Sequence, residues 1–396
     1  MAYQLLAGIA LGVLAGTFTG LVPGIHVNLI AVLLLSSAGY LLGFIGLEAL
    51  IVFIVSMSVT HSFVNTIPSI FLGAPEGGTA LSVLPGHRLL LEGKGLEAVK
   101  LTIIGSILGL LFSFGAYAFF VFVLSNIYGF LSNYIGELLF FVGLFLVLRS
   151  GKVFQGFLAF SFSGVLGLLV LNARMENPLF PLLTGLFGVA TLVFSLKTNS
   201  SIPLQDKTKE TGFDSKQGFL SVLLGSVSGF ITAVLPGMGT SVAATISSLF
   251  RKDSDARNFL VMIGAISTVN FFMSIAALSV IGKARNGAII AVSELLAEPN
   301  ALLLLMAALI SGGLAVLVGL RINSLFLGVM EKVNYALMVK IVIYFLIVLT
   351  GILSGFEGLA VLFVASLIGL YANFKGLPRN VLMSCIMVPV MAYFLF

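Results

Sequence analysis

Charge is scarce in this chain. Asp, Glu, Lys and Arg make up 9% of its 396 residues, against about 25% in ordinary soluble domains. So few charged side chains cannot cover a globule with polar surface, which excludes a conventional water-soluble domain. Cysteine occurs once, at Cys385, which excludes an intramolecular disulfide and any cysteine-based metal cluster. No aspartate lies in an apolar segment. Asp206, Asp214, Asp253 and Asp255 fall in polar stretches, and Glu48, Glu137 and Glu357 stand at segment edges. A carboxylate proton relay through the apolar segments therefore has little to build on. HExxH, GxSxG and paired intramembrane carboxylates are all missing, so the chain is not expected to be an enzyme and no cofactor is expected. The N-terminus also lacks the basic stretch of a cleavable signal.

What is present is apolar. Hydrophobic residues reach 59% and the mean hydropathy is +1.18. Apolar runs near 20 residues recur along the whole length. That pattern predicts an all-α polytopic membrane protein in the cell membrane. A β-barrel would show short segments of alternating polarity instead. In a soluble protein the net charge of +5 would suggest nucleic acid. Here it points to cytoplasmic loops, where Lys and Arg concentrate, and no nucleic-acid partner is expected.

The chain repeats itself. At an offset of 213, Gly12, Gly16, Pro23 and Gly24 fall on Gly225, Gly229, Pro236 and Gly237, while Gly8 and Gly20 meet Ser221 and Ala233. Further on, VNTIPSI (64–70) meets VNFFMSI (269–275) at an offset of 205. These matches divide the chain into a first membrane repeat over 1–196, a linker over 197–216 and a second repeat over 217–396. Each repeat opens with a Gly/Pro-broken apolar pair, 5–38 and 217–250, and continues with about five further apolar segments.

Positive charge then orients the repeats. If each broken pair returns to its own side, sixteen lysines and arginines, Arg88, Lys207, Arg257 and Arg379 among them, share one face. Arg174, Lys283 and Arg285 hold the other, with Lys340 left inside a segment. If each pair crosses once, the split is eleven against eight. The positive-inside rule favours the first arrangement. Each half then crosses an odd number of times, so the repeats are inverted, with both termini extracytoplasmic and the linker cytoplasmic. The pairs read as re-entrant hairpins, because their arms are short and their turns polar.

Inverted repeats broken by Gly and Pro at matching positions point to a secondary transporter's binding site. Pro23 and Gly24, like Pro236 and Gly237, end one helix and expose the N-terminus of the next, where free N–H groups and the helix dipole attract carboxylate or phosphate. His26 and Asn28 follow the first break; Gly239, Thr240 and Ser241 follow the second. Thr60, His61 and Asn65 lie in the segment after the first pair, Thr268 and Asn270 in the segment after the second. Hydroxyls, amides and unwound carbonyls are hard oxygen ligands, which suits a coupling Na+ near Asn65, Asn270 and the Pro-Gly turns better than a proton. The simplest reading of the glycine ladders is close helix packing.

Several motifs together resemble the TctA family, the large permease subunit of tripartite tricarboxylate transporters. They are GTFTGLVPG and GFITAVLPGMG, the loop GAPEGGTALSVLPGHRLLLEGKGLEAV (73–99) and the closing GLPRNVLMSCIMVP (376–389). The chain departs from the family at Ile25, His26 and Val27, where another glycine and proline are usual, and at Pro85, where the family loop has aspartate. It looks like a compact branch of the family. The resemblance implies cation-coupled carboxylate uptake, with a small membrane subunit and an extracytoplasmic binding protein as partners. The broken hairpins also resemble those of translocases for polyprenyl-phosphate lipid carriers, so a lipid phosphate is the rival ligand.

Overall fold

The computed structural model describes residues 2–22, 30, 34–35, 37–71, 83–197, 203–206, 214–235, 240–248, 255–282, 284, 286–296, 300–330 and 335–395. Those residues are helical, with no strand among them. In the first half the helices are α1 (Ala2–Leu21), α2 (Leu47–Val64), α3 (Thr66–Phe71), α4 (Val83–Leu91), α5 (Gly95–Gly115), α6 (Tyr117–Leu131), α7 (Ile135–Leu148) and α8 (Val153–Asn172). Next come α9 (Leu179–Leu183), a π-helical stretch (Thr184–Val189) and α10 (Ala190–Lys197). The second half contains α11 (Ser215–Val234), α12 (Thr240–Ser247), α13 (Ala256–Ile281), α14 (Gly287–Leu295), α15 (Ala301–Met330) and α16 (Tyr335–Lys375). A 3-10 segment (Arg379–Met383) and α17 (Ser384–Leu395) complete it.

Among the described residues, nine helical stretches are long and apolar enough to cross a membrane, and Leu179–Phe194 and Arg379–Leu395 are shorter apolar stretches. The loop motif at 73–99 includes α4, and α5 starts within it at Gly95. Residues 125–133 belong to α6 and the turn that joins it to α7. α16 is two helices joined at Gly355, whose backbone is not helical (φ 63°, ψ −159°), so the chain carries two apolar segments there. A left-handed φ of that kind suits glycine.

Glycine sets how α1 and α2 pack. A Cβ on Gly8 would stand 2.6 Å from the Ala49 carbonyl oxygen, and one on Gly12 2.6 Å from that of Phe53; Gly16 and Gly20 face Met57 and His61 in the same way. Each step of four on α1 is a step of four on α2, so the two helices run parallel. Leu47 therefore begins near the level of Leu6, and the chain regains the level of its start between Leu21 and Leu47. In the second half, Gly225 faces the Met262 carbonyl oxygen and Gly229 that of Ile266, so α11 and α13 are also parallel. α12 folds back along α11, and the Ser228 and Ser247 hydroxyls hydrogen-bond to each other.

The partners correspond closely. Gly12 meets Phe53 O, Ser56 Cβ and Met57 N; Gly225 meets Met262 O, Ala265 Cβ and Ile266 N. With α1 placed on α11 at an offset of 213, this packing places α2 on α13 at 209, not at the 205 that the shared VN dipeptides suggest. The chain between the paired helices is four residues shorter in the second half, and a shift of four is one turn of the same face. His61 is thus the counterpart of Asn270, and Asn65 that of Ser274.

The halves interlock. α5 of the first half packs on α13 of the second, and α15 of the second packs on α2 of the first. Arg257 and Glu97 lock the α5–α13 contact with a forked ion pair, Nε to Oε1 at 2.8 Å and Nη2 to Oε2 at 3.3 Å. One large apolar core joins α1, α2, α5, α13 and α15 around Phe63 and Phe272. A second joins α7, α8, the π-helical stretch, α16 and α17. From the linker, Gln205 accepts the Gly95 N–H (2.7 Å) and donates to the Leu90 carbonyl (2.9 Å).

Candidate functional site

α1 stops at Leu21 and α11 at Val234, each two residues before its Pro-Gly pair. Leu235 is extended (φ −87°, ψ 115°), as a residue before proline must be to avoid the ring. Pro23, Gly24, His26, Asn28, Pro236, Gly237 and Gly239 lie outside the described residues, as do the side chain of Ser241 and the stretch that includes Glu76.

Just before each break is a polar contact that the sequence reading passed over. Thr19 donates its hydroxyl to the Gly16 carbonyl (3.2 Å), and His61 Nδ1 lies 3.1 Å from Thr19 Oγ1. Thr232 donates to the Gly229 carbonyl (2.9 Å), and Asn270 Nδ2 donates to Thr232 Oγ1 at 2.9 Å. A hydroxyl has one proton. With that proton on Gly16, the histidine is the donor, and His61 and Asn270 perform the same act on equivalent threonines. His61 is 2% exposed, with Thr19 and Thr232 also buried and Asn270 half-buried. The signal for this pair was present in GTFTG and GFITA, whose second threonine is repeated 213 residues later.

The other expected residues divide. Asn65, buried at the end of α2, follows His61 by one turn on the same face, and its carbonyl accepts from Ser69 Oγ at 2.7 Å. Thr60 is wholly buried behind Gly16, and its hydroxyl has no hydrogen-bond partner among the described residues, as is true of Ser56 one turn earlier. Thr240 is the first residue of α12. Thr268 stands apart. Two residues before Asn270 is about 200° around a helix, and its hydroxyl donates to Ser106 on α5 at 2.8 Å. The structure therefore brings together Thr19 with His61 and Thr232 with Asn270, and turns Thr268 toward the interface between the halves. Among the described residues, no three His, Cys, Asp or Glu side chains gather into a metal site.

Arg379 differs from its expected place. Counted with the loop charges, it is instead buried, 6% exposed, in the 3-10 segment before α17. That takes one residue from the face expected to be charge-rich, and the expected split becomes fifteen against three.

The family model described as "Tripartite tricarboxylate transporter TctA family" matches residues 6–384. Over 397 aligned residues, an uncharacterized protein of Methanocaldococcus jannaschii is 32% identical, with 97% of this chain and 98% of that protein covered. No solved structure matches the chain.

Proposed function

The chain belongs to the TctA family of tripartite tricarboxylate transporters, and from that premise we propose that it is the membrane permease of a secondary transporter for a small organic anion of the tricarboxylate class. The observation that carries the reading is the matched pair Thr19–His61 and Thr232–Asn270 at the ends of α1 and α11. Two equivalent polar contacts in an apolar interior, each beside a Pro-Gly break, are where a secondary transporter builds its site. The breaks supply helix N-termini to the anion, and Asn65, Thr60, Thr240 and Asn270 supply further contacts, with Na+ as the coupling ion. Thr268 supports the site from behind through Ser106.

The two halves act as inverted repeats whose broken pairs re-enter from their own sides. The return of the chain to its starting level before α2, the fold-back of α12 on α11 and the asymmetry of charge support this arrangement. Alternating access then moves the bundle around α2 and α13 against the second core. A small membrane subunit and an extracytoplasmic binding protein complete the assembly. Uptake of labelled citrate into proteoliposomes, with and without an inward Na+ gradient, tests the reading. Accumulation driven by the gradient is expected. Transfer of a polyprenyl phosphate between leaflets, with no citrate uptake, would replace the carboxylate substrate with a lipid phosphate.

A further inference from the structure

Arg379 is a buried cation without a counter-ion among the described residues. Its side chain is 6% exposed, its Nη1 has no hydrogen-bond partner and it forms no ion pair among the described residues. The elements packed against its 3-10 segment are α7, α8, α12, α16 and α17. Their only acidic residues are Glu137 on α7 and Glu357 on α16, and both are exposed. A charge removed from water without a partner costs several kcal/mol, so a fold does not keep one there for stability.

The backbone around Arg379 is firmly held. Ser163 Oγ donates to the Leu382 carbonyl and Ser384 Oγ to the Phe160 carbonyl, both at 2.7 Å. The segment also packs on α12, the helix that follows the second Pro-Gly break, and Leu235 and Val242 on either side of that break share an apolar core with Leu377, Val381 and Leu382. A firmly held segment carrying a buried arginine, its Nη1 without a partner among the described residues, thus packs on the helix that follows the second break.

We propose that Arg379 binds a carboxylate of the transported anion and supplies its principal positive charge. The inference rests on the carboxylate reading given above. A guanidinium matches a carboxylate with two parallel N–H···O bonds, and the anion is the counter-ion that no described residue provides. The unequal halves fit this role, because a di- or tricarboxylate needs one strong charge contact as well as neutral hydrogen bonds.

The test measures thermal unfolding in detergent, with and without citrate, for the wild type, Arg379→Gln and Arg379→Met. Both variants should unfold no earlier than the wild type when citrate is absent, since each removes an unpaired buried charge. Citrate should stabilise the wild type and neither variant, and KM for citrate uptake should rise roughly ten- to hundred-fold, the range of a charge-assisted hydrogen bond. Stabilisation by citrate retained in the variants would overturn the role of Arg379 and leave the carboxylate reading standing. Failure of both variants to fold would also overturn it, making the arginine a structural residue. A wild type that neither takes up nor is stabilised by citrate would remove the carboxylate reading, and this inference with it.

Discussion

Thr19 and Thr232 each hold two partners at once: a glycine carbonyl three residues back on their own helix, and a side-chain N–H from the neighbouring helix. The glycines permit this, because only without a Cβ do the helices come close enough for His61 or Asn270 to reach the hydroxyl. Histidine and asparagine differ in shape, yet both present a ring or amide nitrogen to the equivalent hydroxyl. Thr19→Val and Thr232→Val keep the volume and remove the acceptor. Each should cost about 1 kcal/mol of stability and lower citrate uptake, read as unfolding temperature and initial rate. Unchanged uptake in both variants would reduce the pair to helix packing.

Helix packing on glycine makes the elements inflexible. The Phe53 carbonyl oxygen lies 2.6 Å from where a Cβ on Gly12 would be, and the Met262 carbonyl oxygen 2.7 Å from one on Gly225. Backbone cannot move aside as a flexible side chain can. Gly12→Val and Gly225→Val should therefore each destabilise by about 1–3 kcal/mol, measured by thermal unfolding in detergent. Gly313 has nothing within 4 Å of its absent Cβ, and Gly313→Ala should be neutral or slightly stabilising. The ladders themselves were legible in the sequence, since glycine every fourth residue marks one face of a helix. The register of α2 against α13 was not. VNTIPSI and VNFFMSI share four of seven letters at an offset of 205, whereas the packing follows 209, because a helix face repeats each turn and shared letters one turn away look equally good.

For the molecule as a whole, the halves are bound by exchange: α5 lies on α13 and α15 on α2, with Arg257 and Glu97 joined across the first contact. Neither half could open far from the other without breaking that pair. The orientation of the halves in the membrane is a separate matter and is open to a direct test. Cys385 is buried, so labelling by an impermeant thiol reagent reports an introduced cysteine. Leu204 in the linker is 88% exposed and Ala2 is exposed at the start of α1. Leu204→Cys should label from the cytoplasmic side alone and Ala2→Cys from the outer side alone. Labelling of both from one side would remove the inverted arrangement.

The sequence by itself determined the class of protein, the apolar helices, the duplication of the Pro-Gly breaks and the family. These rest on composition, on run length and on residues in fixed order along the chain, and none needs knowledge of what faces what. Tertiary structure decided that Thr19 and Thr232 are the centres of the paired contacts and that Thr268 looks the other way. It also decided that Arg379 is not a loop charge. A hydroxyl's partner depends on the angle between two helices, and an arginine's burial depends on what closes over it. Arg379 follows Gly-Leu-Pro and reads as the end of a turn. Only the packing of α7, α8, α12, α16 and α17 on its segment removes it from water, because burial is a property of neighbours remote along the chain.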